Sequence, residues 1–310
     1  MSSATRTRRR TGLACFAAAG LVAQGTSASA AKLLDWPDLL ARPMPSPTEK
    51  IAYGPDPMQF GELWLPQGKG PFPVVLIVHG GCWLSSIAKL GIMNYAAEDL
   101  RRRGIAVWNM EYRGVDNPGG GYPGTFQDVA AGADALEKIA PAHHLKVGRV
   151  VAYGHSAGGH LVMWLAARPR LPVGSVLKSA HPLRIAGVVS AGGLPDLEPE
   201  AAGDVCGQGV IARLVGAPTA ARPNVWADTS PAELGIGPEP QVQINGEEDP
   251  IAPPAFAHAY AARMKNPRLT TIVLPDTGHA ELVAPGTAAW STVVHTIESL
   301  LDHNAASSAP

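Results

Sequence analysis

Residues 149–167 read RVVAYGHSAGGHLVMWLAA. The opening RVVAY has the apolar character of a buried strand, and His160–Ala167 has that of a helix. Between them lies Gly154-His155-Ser156-Ala157-Gly158, a G-x-S-x-G pentapeptide. Such a pentapeptide is common by chance; the strand before it and the helix after it make this one informative. A serine at so abrupt a turn has a strained backbone and needs small neighbours, which Gly154 and Gly158 supply. The turn lifts the hydroxyl clear of the sheet and sets it beside the amide N–H groups of a helix N-terminus. Ser156 is therefore the candidate nucleophile. The competing reading is an ordinary strand–helix junction.

The same alternation continues on both sides. Phe72–Val78 (FPVVLIV) is a nearly unbroken apolar run, as expected of a strand covered on both faces. Phe60–Leu65, Ile105–Glu111, Ile185–Ser190, Gln241–Ile244 and Thr270–Leu274 also read as strands. Tyr95–Arg103, Phe126–Ile139, Phe256–Met264 and Ala288–Leu301 read as helices. Strands alternating with helices predict an α/β domain over residues 50–303, with a mostly parallel sheet flanked by helices. Residues 31–49 carry Pro37, Pro43, Pro45 and Pro47 and read as an extended entry segment. Residues 197–239 are irregular and rich in Gly, Pro and Ala. They are either a small cap inserted between two strands or a disordered excursion. Residues 304–310 are small and polar, a tail expected to fray.

A serine hydroxyl needs a base to remove its proton. With a nucleophile elbow, the acid and the histidine follow the serine in that order. Gln241–Ile244 leads into Asn245-Gly246-Glu247-Glu248-Asp249-Pro250. Asp249 is the favoured acid, because the turn has carried the chain past the strand end and Pro250 fixes the exit. Glu248 is the fallback, and a solvated acidic loop the bland alternative. The strand Thr270–Leu274 is followed by Pro275-Asp276-Thr277-Gly278-His279, and His279 falls after the last strand and before the last helix. The other histidines fit that order less well. His79-Gly80-Gly81-Cys82-Trp83 follows FPVVLIV and has the form of an oxyanion loop. Its expected donors are the backbone N–H groups of Gly81 and Cys82, joined by that of Ala157. Trp83 is read either as a wall of the substrate pocket or as a packed core indole. Ser190 lacks the first glycine of an elbow. Two S-x-x-K matches, at Ser86 and Ser175, lack accompanying motifs. No Cys/His spacing suggests zinc and no phosphate-binding loop is present, so neither metal nor cofactor is expected.

The 310 residues are 46% hydrophobic and 16% charged, with 34 Gly and 29 Pro, which excludes a coiled coil or a charged disordered chain. A formal charge of -1 gives no basic excess for nucleic acid. Arg6, Arg8, Arg9 and Arg10, the apolar run Leu13–Ala23, and Ala28-x-Ala30 form the three regions of a secretory signal peptide over residues 1–30. Arg9-Arg10 also loosely fits a twin-arginine signal. The apolar run is about half the roughly 20 residues needed to span a bilayer, so no stable membrane anchor is expected. Removal of four Arg and no acids leaves 21 basic and 26 acidic residues, a charge of about -5 by that count. A periplasmic or secreted location follows. Of the three cysteines, Cys82 and Cys206 remain, and their 124-residue separation favours two separate buried thiols over a disulfide.

HGGxW at 79–83 and GHSAGGHL at 154–161 resemble one branch of the α/β-hydrolase superfamily. That branch holds acetyl-esterase-like, feruloyl-esterase-like and kynurenine-formamidase-like enzymes. Glu111-Tyr112-Arg113, Tyr122-Pro123 before Asp128, and Ser230-Pro231 are also similar to it, and the likeness extends from about Ile51 to Leu301. The resemblance implies the α/β-hydrolase fold and a triad of Ser156, Asp249 and His279. Cys82 stands where many relatives carry Gly, Tyr or Phe. The expected activity is a small-acyl carboxylesterase acting on a small-molecule ester. The rivals are an arylformamidase, which keeps the triad and cleaves an amide, and a catalytically inactive hydrolase-fold binding protein.

Overall fold

The computed structural model describes residues 33–302, together with Met1. Lys32 onward forms one unit. The leader assigned to residues 1–30 lies outside the described residues apart from Met1, and so does the tail at 304–310.

In chain order the elements are α1 (Trp36–Leu40), β1 (Glu49–Ala52), β2 (Phe60–Trp64), β3 (Phe72–Val78), α2 (Asn94–Arg102), β4 (Ala106–Met110) and α3 (Gly124–His143). They continue with β5 (Leu145–His155), α4 (Ala157–Ala167), β6 (Ile185–Ala191), α5 (Leu197–Ala202), α6 (Val210–Val215) and α7 (Pro231–Leu234). β7 (Gln241–Gly246), α8 (Pro254–Met264), β8 (Leu269–Leu274) and α9 (Ala288–Asp302) complete the chain. The eight strands form one sheet in the order β1-β2-β4-β3-β5-β6-β7-β8. β1, β2 and β4 pair antiparallel, and all pairings from β4 to β8 are parallel. This is the α/β-hydrolase fold.

Strand alternation sorts the central apolar runs onto two cores. Val74, Leu76 and Val78 of β3 and Val150 and Ala152 of β5 face the core that contains Phe126, Trp108 and Trp164. Val75, Ile77, Val151 and Tyr153 face the opposite core, with Leu100, Trp290 and Ile297. A sheet covered on both sides explains why these strands read as continuous hydrophobic stretches.

The register decides where chemistry can occur. Val78 stands opposite both Met110 and Gly154, His155 opposite Ala191, Ala191 opposite Ile244, and Gly246 opposite Leu274. The parallel strands therefore finish at one rim, where His79, Ser156, Gly192, Glu247 and Pro275 begin the connecting loops. Open α/β sheets place ligands at this carboxyl rim.

One region departs from expectation, and a second, left open between two readings, is ordered. The entry segment is not wholly extended. Asp35 accepts the Asp38 N–H at 2.9 Å, and Pro37 supplies a preset φ, so a short helix forms at Trp36–Leu40. The 197–239 stretch is ordered over α5, α6 and α7. Leu197, Val210, Ile211, Leu214 and Val215 are buried in the main core. Two of its polar fastenings lie on α4: Trp164 donates to the Asp228 carbonyl at 2.9 Å, and His160 Nε2 meets the Thr229 carbonyl at 2.8 Å.

Glu200 on α5 is buried, with Oε2 unpartnered. Burial, reinforced by the Asp196 charge, pushes its carboxyl well above the ordinary range despite a backbone hydrogen bond from Asp196. A raised carboxyl is neutral in the fold and ionises freely in the unfolded chain. Stability is therefore lost as pH rises from the ordinary carboxylate range toward the folded-state value. Glu200→Gln removes that penalty. Thermal denaturation should give nearly equal Tm for variant and wild type near pH 4, with the variant higher by about 2–4 °C at pH 8.

Candidate active site

Ser156 joins β5 to α4 with φ 54° and ψ −122°, a region that costs a non-glycine residue about 1–3 kcal/mol. Its N–H donates to the Ala191 carbonyl at 2.9 Å, which pins the turn to β6. The first turn of α4 lies against the end of β3. A Cβ on Gly158 would stand 2.0 Å from the Val78 carbonyl oxygen and 2.6 Å from that of His79. The obstacle is backbone, so it cannot swing aside, and glycine is required for close approach. Ser156 is 2% exposed and its Oγ makes no hydrogen bond among the described residues.

The loops after β7 and β8 supply the next two groups. His279 Nδ1 lies 2.6 Å from Asp249 Oδ2. The other oxygen of Asp249 accepts the N–H groups of Ile251 at 2.9 Å and Ala252 at 3.0 Å. Burial raises the Asp249 carboxyl, but the hydrogen bond and charge of His279 and the two backbone donors outweigh it. The net shift is downward, and the group is held as a carboxylate. Glu248, the fallback acid, is exposed, and so is Glu247.

The imidazole is placed beside the elbow by its neighbours. The His155 ring centroid is 4.3 Å from that of His279, and His155 Nε2 is 3.0 Å from the His279 carbonyl. Burial, with the nearby His279, drives the His155 pKa well below the usual value, so this ring is neutral. It donates through Nε2 to the carbonyl, because a neutral imidazole has only one N–H to give. Trp36 sets its edge against both rings, at 5.6 Å and 6.4 Å. Glu281 joins the Gly278 N–H to that of Leu34.

The loop after β3 is braced from beneath. His79 Nε2 is 2.7 Å from Glu111 Oε1, and the ring stacks on Tyr112 with centroids 4.4 Å apart. Tyr112 donates its hydroxyl to the His79 carbonyl at 3.0 Å. Glu111 also accepts the N–H groups of Leu90 and Tyr112. Burial raises the Glu111 carboxyl, but His79 and these donors bring it below the ordinary range. Gly80 packs so tightly that an added Cβ would lie 2.9 Å from Ser156 Cβ. Gly81, Cys82 and Trp83 follow with φ of 104°, 53° and 54°. The N–H groups of Gly81, Cys82 and Ala157 make no hydrogen bond among the described residues. Free amides on this loop and at the start of α4 are the donors an anionic oxygen needs.

One expectation is corrected and one open alternative is resolved. Cys82 and Cys206 are not separate thiols; they form a disulfide with Cα atoms 5.8 Å apart. Sequence distance hid it, because the insertion returns to the oxyanion loop only through the fold. Trp83 is 0% exposed and packs edge-on to His160 at 5.4 Å, so it belongs to the core rather than to an open pocket wall. His155, Glu111, Glu281 and Trp36 hold the site, and sequence reasoning did not give them these roles. Only Glu111 carried a signal, in the EYR triplet at a strand end.

The family model BD-FAE matches residues 62–264. The chain belongs to the BD-FAE family. It is an esterase-type α/β-hydrolase. None of the curated proteins matches the sequence. Among solved structures, esterase B from Lactobacillus rhamnosis, inhibited by a tributyrin phosphonate, is similar at TM-score 0.69 and 20% identity, covering 85% of this chain and 90% of that one. A truncated carbohydrate esterase from gut microbiota gives TM-score 0.64 and 16% identity, covering 83% and 98%. The bifunctional GH43-CE protein of Bacteroides eggerthii gives TM-score 0.64 and 18% identity over 81% of this chain, which spans only 34% of that protein. At these identities the likeness is one of fold.

The tight elbow makes a direct prediction. Gly158→Ala should cost about 3 kcal/mol or more in urea unfolding, because the clash is with backbone. Gly148→Ala, where a Cβ meets nothing within 4 Å, should change stability by less than about 1 kcal/mol.

Proposed function

We propose that this BD-FAE member is an exported serine esterase that hydrolyses small acyl esters through an acyl-enzyme. The observation that carries the reading is the buried Asp249–His279 pair, packed through His155 against the strand-to-helix turn that presents Ser156.

In the proposed cycle His279 takes the Ser156 proton as the hydroxyl attacks the ester carbonyl. Asp249 bonds Nδ1–H, which leaves Nε2 as the basic nitrogen, and stabilises the imidazolium once formed. The tetrahedral oxyanion is received by the N–H groups of Gly81, Cys82 and Ala157, which have no acceptor to surrender. Removal of one such donor typically costs roughly 3 kcal/mol of transition-state stabilisation. His279 then protonates the leaving alcohol, and water releases the acid from Ser156. None of these steps uses a metal or an organic cofactor.

A short acyl group is supported by the tributyrin phosphonate held by the fold relative from L. rhamnosis. Acetylated or feruloylated material outside the cytoplasm fits the family. Export is supported by the basic, apolar and small-residue leader and by the disulfide, since disulfides persist in oxidising compartments. No described helix is long and apolar enough to cross a membrane.

With p-nitrophenyl acetate, the enzyme should show a burst, and Ser156→Ala should lower kcat by about 10⁴-fold or more. Asp249→Asn should fall by about 10⁴-fold with Ser156 still present, because the wrong tautomer is then favoured. A wild-type rate unchanged by Ser156→Ala would sink the reading. Preference for an N-formyl arylamine over every short ester would transfer it to an amidase.

A further inference from the structure

We propose that the Cys82–Cys206 disulfide positions the oxyanion hole and that Cys206, remote in sequence, is a positioning residue for the reaction. The inference rests on the esterase reading above and extends it to a residue outside the expected catalytic set.

The oxyanion loop is held unevenly. His79 is braced by Glu111 and Tyr112, and Gly80 lies against Ser156. Trp83 is buried, and its carbonyl accepts the Val115 N–H at 2.7 Å. The N–H groups of Ser85 and Ser86 are both taken by Asp116, at 2.9 Å. Cys82 lies between these anchored stretches. Its N–H makes no hydrogen bond among the described residues, and its side-chain fastening is the sulfur–sulfur bond. It also has φ 53°, a left-handed conformation that a residue with a Cβ leaves when nothing holds it there.

The far end of the bond has the same character. Cys206 lies between α5 and α6, six residues each, with φ 70°. Asp204, Gly207, Gln208 and Gly209 are also left-handed, at 51°, 73°, 54° and 59°. Asp204 closes this loop by accepting the Gly209 N–H through its side chain at 3.0 Å and the Gly207 N–H through its carbonyl at 2.7 Å. α6 is anchored by buried Val210, Ile211 and Leu214. The bond thus transfers the rigidity of the packed insertion to the least supported donor of the hole. Once it is cut, Cys82 can relax from positive φ, and rotation about its N–Cα bond, with Trp83 held by the core, carries its N–H away from the oxyanion.

Geometry of this kind acts on the transition state more than on ester binding, because the carbonyl oxygen becomes a strong acceptor only as charge develops. The test uses the mature enzyme and tris(2-carboxyethyl)phosphine. The phosphine takes the disulfide to two thiols and is itself converted to its oxide with oxygen from water. Kinetics with p-nitrophenyl acetate are read about 20 °C below the Tm of each form, with near-UV circular dichroism as the check on packing. Reduction, and separately Cys206→Ser, should lower kcat by about tenfold or more with KM changed by less than about threefold. The rate of Ser156 labelling by a fluorophosphonate should fall in parallel. Reoxidation should restore the wild type and leave Cys206→Ser low. Full kcat in the reduced enzyme would overturn the proposal, as would a loss of kcat that only tracks loss of the near-UV signal. Should Cys206→Ser fail to fold, reduced wild type decides alone. Oxidised wild type without esterase activity would instead refute the functional reading beneath it.

Discussion

The first turn of α4 touches the carbonyl oxygens of Val78 and His79, and the rest of the site is arranged around that contact. No side chain fits at residue 158 while β3 and α4 stay where they are. The chain must therefore reverse between β5 and α4 within one residue, and Ser156 takes the strained conformation that results. The strain persists because the surrounding structure over-determines it: the Ser156 N–H is tied to β6, and Gly80 closes over its Cβ. A hydroxyl presented this way is fixed in position by the backbone around it.

Around this fixed point the protein buries charged groups in satisfied pairs. Asp249 is surrounded by an imidazole and two backbone donors, Glu111 by an imidazole and two more. The two carboxylates have similar surroundings and different places. Asp249 faces the histidine beside the elbow, whereas Glu111 lies beneath the loop that follows β3. Both shifts run downward against burial, which shows that specific donors outweigh desolvation at each. Glu200 has only the one backbone donor of Asp196 and shifts the other way.

Much of the fold was legible because the central strands are covered on both faces. FPVVLIV and RVVAY have no polar position to blur them, and the glycines of GHSAGG mark the turn. β1, by contrast, is an edge strand of sequence EKIA, mostly exposed, with too little apolar pattern to register. α1 was hidden by the prolines of the entry segment, although one of them, Pro37, sits in its first turn. The helices of the 197–239 stretch are only four to six residues long, shorter than the periodicity needed to recognise them, and tertiary burial orders them. At the site, the order of serine, acid and histidine pointed to the pair that the structure joins. Of three adjacent acids, Asp249 is the buried one and meets His279, a difference in exposure that spacing does not encode. The place of Trp83 stayed open and the disulfide was misjudged for a related reason: side-chain direction and return of the chain are properties of the fold.

The hydrogen bond from Leu34 to Glu281 spans 247 positions and seats the loop that carries the imidazole. One of the earliest described residues thus helps to secure one of the latest. A growing polypeptide can build every strand of the sheet and still lack this fastening, because residue 281 follows β8 in the chain. The loop that carries His279 is fully buttressed only when these two distant segments have met, so this fastening is completed late in folding and does not belong to its nucleus.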